Sequence, residues 1–257
     1  MPKVKFQHDP IFPNPLLCCI IGATNTGKTY LLFHILTSPE KLVDFNELVL
    51  YVPRASQMDP EYQFLKYGFE NGLPPSLINS LYHVYQVSED ASPEDIRHIC
   101  REAANPGRVQ STSENSEVIE KIPVTLSHTP NEEIFHNGLK TCVILDDVLG
   151  EANQTFQESL FQRGRHGNCC GFYLAQNFTK LDRNTVRENT TCYIIFKQKD
   201  TNLNHIARNI ETNYEPAIFK AKCREAWKKK YGYIYINTRA DEDEQDLYKD
   251  VLTKIPL

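Results

Sequence analysis

Gly22-Ala23-Thr24-Asn25-Thr26-Gly27-Lys28-Thr29 spells G-x-x-x-x-G-K-T. An apolar run from Leu16 to Ile21 leads in, and an apolar-periodic run from Tyr30 to Leu36 leads out. Strand, glycine loop and helix in that order are the context in which this motif holds phosphate. Its glycines let the backbone approach a polyanion closely, and several N–H groups then point inward where the helix opens. Lys28 is expected to reach the β- and γ-phosphates, and the Thr29 hydroxyl to ligate Mg²⁺. Gly22 to Thr29, with Tyr30 following, is thus the candidate cofactor site; the competing reading is a glycine turn that binds nothing.

Thr141-Cys142-Val143-Ile144-Leu145-Asp146-Asp147 is the second focus, an apolar run closed by two carboxylates. That pattern predicts a buried parallel strand with acids at its C-terminal edge, where open α/β sheets form their ligand crevice. Asp146 is expected to hold Mg²⁺, directly or through water, as the acidic partner of Thr29. Asp147 is expected to orient and deprotonate an attacking water, against the plainer reading of a solvated or helix-capping acid. Gln176 closes the next buried run, Cys169 to Gln176, and is expected beside the γ-phosphate as a sensor of hydrolysis. Arg165 and Arg187 are read as lying just outside strands near the catalytic edge. Either is a candidate for the guanidinium that stabilises the transferring phosphoryl group, often supplied by a neighbouring subunit. His166 has no His or Cys at ligand spacing and is read as a turn residue.

The elements needed to position these groups follow in order. Glu47 to Val52 is expected as a strand, Asp59 to Phe69 as a short helix, and Tyr82 to Val87 as a third strand. Ser92-Pro93-Glu94-Asp95 opens a helix to about Ala104, with Ser92 as N-cap and acids near the positive end of the dipole. Residues 105–138 show little periodicity and are expected to be an irregular insertion. Phe156 to Arg163 is expected as a helix, Thr191 to Phe196 as a strand, Asn202 to Ile210 and Pro216 to Lys229 as helices, and Tyr231 to Ile236 as an edge strand. Strands separated by helices predict a three-layer α/β fold with a mainly parallel sheet. The whole of 1–257 is read as one domain, ending in an acidic tail at about 240–257.

Of the 257 residues, 40% are hydrophobic and 24% charged, with net charge −5, an ordinary globular composition. Polar, proline-punctuated residues 1–15 do not read as a signal peptide. No apolar run approaches the roughly 18 residues of a membrane span. Eight cysteines lack any C-x-x-C spacing and mostly sit in or beside apolar runs, which predicts buried free thiols in a reducing compartment. An acidic total leaves a nucleic-acid partner open, because a local basic stripe is what matters.

G-A-T-N-T-G-K-T, then I-L-D-D, then G-R-H before a strand ending in Gln176, then R-E-N (Arg187 to Asn189) before another strand: this order resembles the poxvirus-type DNA-packaging ATPases. They belong to the FtsK–HerA superfamily and are carried by large DNA viruses, virophages and Maverick/Polinton elements. The resemblance covers about Leu16 to Lys197. It implies a P-loop NTPase with an additional strand in the sheet, ATP and Mg²⁺ as cofactors, and a homo-oligomeric ring driving double-stranded DNA into a preformed capsid. It also implies work inside a host cell, at a nuclear or cytoplasmic assembly site or with the virion, and no secretion. Lys28 and Thr29 take the Walker A positions, Asp146 the Walker B ligand, Asp147 the base and Gln176 the sensor, with Arg165 or Arg187 acting in trans. Many relatives carry Glu where Asp147 stands, a side chain one carbon longer.

For DNA contact, Lys220, Arg224 and Lys228 fall on one face if Pro216 to Lys229 is a continuous helix, giving a sequence-independent phosphate stripe. A solvated face with lysines around Trp227 is the alternative. Two other functions compete. Asp147-Val148-Leu149-Gly150 and Thr179-Lys180-Leu181-Asp182 match the D-x-x-G and T-K-x-D of a GTP-binding switch, but too close together in sequence. A catalytically silent assembly protein that keeps only the fold is the other.

Overall fold

The structure is a computed structural model, and it describes residues 5–86, 92–105, 120–147, 151–212 and 214–240. The expected acids-to-glycine stretch at Val148 to Gly150, the centre of the insertion and the tail beyond Ala240 lie outside the described residues.

Seven strands form one sheet: β1 (Leu17–Ile21), β2 (Glu47–Tyr51), β3 (Val124–Ser127), β4 (Thr141–Asp146), β5 (Cys169–Ala175), β6 (Cys192–Phe196) and β7 (Tyr233–Asn237), in the order β3-β2-β4-β5-β1-β6-β7. β1 to β6 run parallel. Only β7 is antiparallel, at the edge beside β6. The central strands are continuous apolar runs because both faces are covered.

Alternate side chains feed two cores, as the period of a strand requires. Cys18, Ile20, Leu50, Ile144, Phe172 and Ile194 point to one face, with α1 (Lys28–Leu36), α2 (Pro60–Glu70), α3 (Pro75–Gln86) and α4 (Pro93–Ala103) packed there. Cys19, Ile21, Val143, Leu145, Tyr173 and Ile195 point to the other, against α5 (Glu151–Arg163), α6 (Asp200–Asn209) and α7 (Pro216–Ala226). The result is the three-layer α/β fold expected from the strand–helix alternation.

Ser92 caps α4 in the expected way, its hydroxyl accepting from the Asp95 N–H while the Asp95 carboxylate accepts from the Ser92 N–H. Two expectations fail. Tyr82 to Gln86 belongs to α3 rather than to a strand: Ile78 and Tyr82, four apart, are buried, whereas Val84 is 69% exposed. Gly68 of α2 lets that helix close, since a Cβ there would lie 2.6 Å from Ile78 Cγ1. The third strand in sequence is instead β3, inside the stretch expected to be an irregular insertion. It pairs with β2 from Leu48–Val124 to Tyr51–Ser127, and a short 3-10 turn, Glu132–His136, follows it.

All eight cysteines are free and buried. Burial pushes the Cys19, Cys100, Cys169 and Cys223 thiols up to about 12. Thiolate, the reactive form, is therefore suppressed in the native state. Ellman's reagent at pH 7.5 is expected to label essentially none of the thiols until denaturant is added. Prompt labelling of several in native protein would contradict the two cores described above.

Candidate active site

β1 delivers the glycine loop to the C-terminal edge of the sheet, and the Gly22 N–H donates to Ala175 O of β5 at 3.0 Å. A Cβ on Gly22 would lie 2.5 Å from Thr26 Oγ1 and 2.8 Å from Phe196 Cβ, so only glycine fits. Asn25 (φ 61°) and Gly27 (φ 96°) take the left-handed region, which turns the chain into α1. The Thr26 hydroxyl donates to Ala23 O at 2.8 Å. Lys28 Nζ donates to Gly22 O at 2.8 Å and Ala23 O at 3.0 Å, spanning the loop from beneath. Burial lowers the Lys28 pKa, while Asp146 and Asp147 oppose the shift.

One strand, β5, lies between β1 and β4, so the acids reach the loop across the end of β5. Thr29 Oγ1 donates to Asp146 Oδ2 at 3.4 Å. A hydroxyl and a carboxylate oxygen at that separation suit adjacent positions around a hard cation such as Mg²⁺, which takes oxygen ligands near 2.1 Å and draws the rest from phosphate and water. Burial raises the Asp146 pKa; the Tyr62 hydroxyl, Lys28 and Thr29 pull it back towards the charged form. Asp147 is exposed and has φ 49°, a left-handed backbone that Asp tolerates better than most residues. Gln176 Nε2 donates to Asp147 Oδ2 at 2.8 Å. Thr24, Asn25, Gly27, Lys28, Thr29, Tyr30, Asp146, Asp147 and Gln176 line one open cleft of about 350 Å³.

Ser56, Asp59 and Glu61 line the same cleft, and the sequence reading missed them together with Tyr62. All come from the segment that follows β2, whose end lies on the same sheet edge. That topology was the available signal. The Tyr62 hydroxyl donates to Asp146 Oδ2; burial raises its own pKa well above the usual range, keeping it a donor. Removing such a partner of a metal-binding carboxylate lowers metal affinity by about 10- to 100-fold. On the expectation that Asp146 holds Mg²⁺ for nucleotide hydrolysis, Tyr62→Phe should raise the Mg²⁺ concentration for half-maximal turnover by about tenfold. It also removes a bond favouring the ionised Asp146, so the acidic limb of the pH profile moves to higher pH. A Mg²⁺ titration at several pH values checks both.

Several expected site residues lie elsewhere. Arg165 sits in the turn before β5, at the edge opposite the loop. β5 spans seven residues, roughly 20 Å. Arg165 Nε meets His166 Nε2 at 3.2 Å on the exposed surface. Arg187 precedes β6, also parallel to β1, and rests its guanidinium 5.1 Å from the Phe178 ring centroid. It lines a separate cleft with Arg183, Arg208 and Arg239. The expectation that both arginines flank the catalytic edge is therefore wrong, because a residue before a parallel strand lies at its far end. Among the described residues no arginine lines the loop cleft.

The expected Lys220–Arg224–Lys228 stripe is also corrected. α7 ends at Ala226, so Lys228 lies in the following turn. Lys220 Nζ donates to Asn204 Oδ1 at 3.1 Å and Arg224 pairs with Asp200 at 2.9 Å, both turned towards α6. Asp182 of the T-K-x-D match accepts from the Thr185 N–H at 2.6 Å, capping a turn, and is not among the residues lining the cleft.

A glycine loop after β1, two acids ending β4 and one strand between them define a P-loop NTPase fold of the additional-strand type. No family model matches the sequence, and no curated protein does. Among solved structures, the chain is similar to the genome packaging NTPase B204 from Sulfolobus turreted icosahedral virus 2 in complex with AMP, at 15% identity and TM-score 0.48 over 92% of this chain and 97% of that one. It is similar to B204, the DNA-packaging ATPase from Sulfolobus turreted icosahedral virus, at 14% identity and TM-score 0.48 over 90% and 95%. VirB4 of Thermoanaerobacter pseudethanolicus follows at 11% identity and TM-score 0.45 over 87% of each chain.

Proposed function

We propose that the protein is a Mg²⁺-dependent ATPase that draws double-stranded DNA into a capsid. Residues 1–257 would form its single catalytic domain, working as a homo-oligomeric ring inside a host cell. The observation that carries the catalytic half is the cleft itself, where Lys28, Thr29, Asp146, Asp147 and Gln176 converge. Thr29 and Asp146 would hold Mg²⁺, which when bound would supply positive charge against the charge that develops in the reaction. Lys28 and the loop N–H groups bind the β- and γ-phosphates. Asp147 accepts the proton of the attacking water, and the Gln176 amide fixes the carboxylate that does so. Because no arginine among the described residues lines the cleft, a neighbouring subunit would supply the guanidinium, from Arg165 or Arg187.

The motor half of the reading is supported by the order of motifs from Gly22 to Asn189. Among the described residues no helix is long and apolar enough to cross a membrane. Phosphate release with and without linear duplex DNA, run beside a sizing measurement, tests the whole. ATP turnover that rises with DNA and a particle several protomers in mass are expected. DNA-independent turnover by a permanent monomer would remove the motor.

The GTP-switch alternative is disfavoured by the capping role of Asp182. A strong preference for GTP over ATP in the same assay would restore it. Failure to bind nucleotide by calorimetry would favour the silent assembly protein.

A further inference from the structure

Tyr231 is the large apolar side chain whose exposure most needs a reason. It is 53% exposed and has φ 61°, a left-handed backbone that bulky residues seldom adopt. Yet its ring lies against the phosphate loop. The missing Cβ of Gly27 would sit 3.4 Å from Tyr231 Cδ1 and 3.7 Å from Tyr231 Cβ. The next residue, Gly232, holds the chain there, because a Cβ on it would come within 2.1 Å of Ala226 O. A tight turn therefore presents an open aromatic ring to the end of the loop where α1 begins.

The sheet order says which end of a nucleotide this ring would meet. Asp146 and Asp147 lie on the β4 side of β1, across β5; Tyr231 lies on the opposite side, where β6 ends and β7 begins, Phe196 pairing with Tyr233. A nucleoside triphosphate in the loop would direct its γ-phosphate towards Asp146 and Asp147, the acids that would hold the cation and the water. Its α-phosphate, ribose and base must then leave towards β6 and β7. On their own side the acids, Ser56, Asp59 and Glu61 are polar, and Tyr30, the aromatic residue that also lines the cleft, packs its ring against His34 and Tyr82, 4.3 and 6.3 Å between centroids. On the other side the ring of Tyr231 is open, with Lys230 Nζ over it at 5.0 Å from its centroid.

We propose that Tyr231 is the stacking platform for the base of the bound nucleoside triphosphate, an aromatic face that takes a purine ring. This deepens the nucleotide reading above and rests on it. Stacking recognises the presence of a flat base rather than its hydrogen-bonding edge, so the platform would add affinity without selecting one purine over another. It also accounts for the strained turn, since strain of this kind persists where a surrounding structure and a function hold it.

Calorimetry on the full chain with Mg²⁺ tests it, using either a slowly hydrolysed ATP analogue (AMPPNP) or inorganic tripolyphosphate, which lacks a base. Tyr231→Ala is expected to weaken AMPPNP binding roughly 10- to 100-fold, the usual range for losing one base–aromatic stack. Tyr231→Asn, which removes the ring but suits the left-handed backbone, is expected to match it, and Tyr231→Phe to stay near wild type. Tripolyphosphate binding is expected to be the same in all four proteins. Equal loss for both ligands would overturn the proposal, because the residue would then act by shaping the loop. Unchanged AMPPNP binding in the Ala and Asn variants would overturn it too. Wild-type protein that binds tripolyphosphate and AMPPNP equally well would refute the base platform but leave the phosphate site standing, whereas binding of neither would remove both.

Discussion

Lys28→Ala is expected to lower ATP turnover by about 10³-fold or more, with little change in thermal stability. The size follows from what the ammonium does. In the proposed function it is a preorganised cation aimed at charge that develops on the γ-phosphoryl oxygens, and loss of one such donor typically costs 10²- to 10³-fold. A charged donor in a partly buried site falls at the upper end of that range or above it. Stability is spared because, among the described residues, the Lys28 ammonium donates to Gly22 O and Ala23 O of its own loop, and alanine is a better helix former at the first position of α1. Stopped phosphate release together with an unchanged melting curve is the expected pair. A variant that retains a tenth of wild-type turnover would mean that the phosphates lie elsewhere.

Asp147→Asn is expected to bind ATP and fail to turn it over, with a loss of about 10²- to 10⁴-fold, the usual contribution of a positioned general base. The substitution isolates the chemistry. Asparagine tolerates the left-handed backbone at this position and its carbonyl still accepts from Gln176 Nε2. The shape of the cleft and the contact to the β5 end are kept, and only the basicity is removed. Single-turnover hydrolysis with a matched binding titration separates the two effects. Wild-type turnover with Asn at this position would reduce Asp147 to a solvated acid.

How much of this was legible in the sequence depends on whether a signal was local. Gly22 to Thr29 carries its own context, strand before and helix after, and the acids ending β4 follow a buried run with no polar interruption. Gln176 was legible for the same reason, because it closes β5. The Ser92 cap needs only three residues to be read. What failed needed the third dimension. β3 has four residues, of which only Val124 is buried, so it offers no period to detect. Tyr82 and Val84 look like strand residues by type, but α2 supplies a groove at Gly68 that favours the helix. Tyr62 reaches Asp146 from a distant element, a contact no spacing rule encodes. The arginine error was of another kind: in a parallel sheet a residue before a strand sits at the far edge, and that inference was available. α7 stops before Lys228 because the Trp227 indole donates to Ile195 O at 3.0 Å and Gly232 turns the chain back into β7.

A crystal structure of the protein with Mg²⁺ and AMPPNP tests the account at its centre. It is expected to show the β- and γ-phosphates cradled by the Gly22 to Thr29 N–H groups and Lys28, with the cation between Thr29 and Asp146 and a water in reach of Asp147. A nucleotide seated away from this loop, or a cation held by neither Thr29 nor Asp146, would contradict the mechanism and leave only the fold.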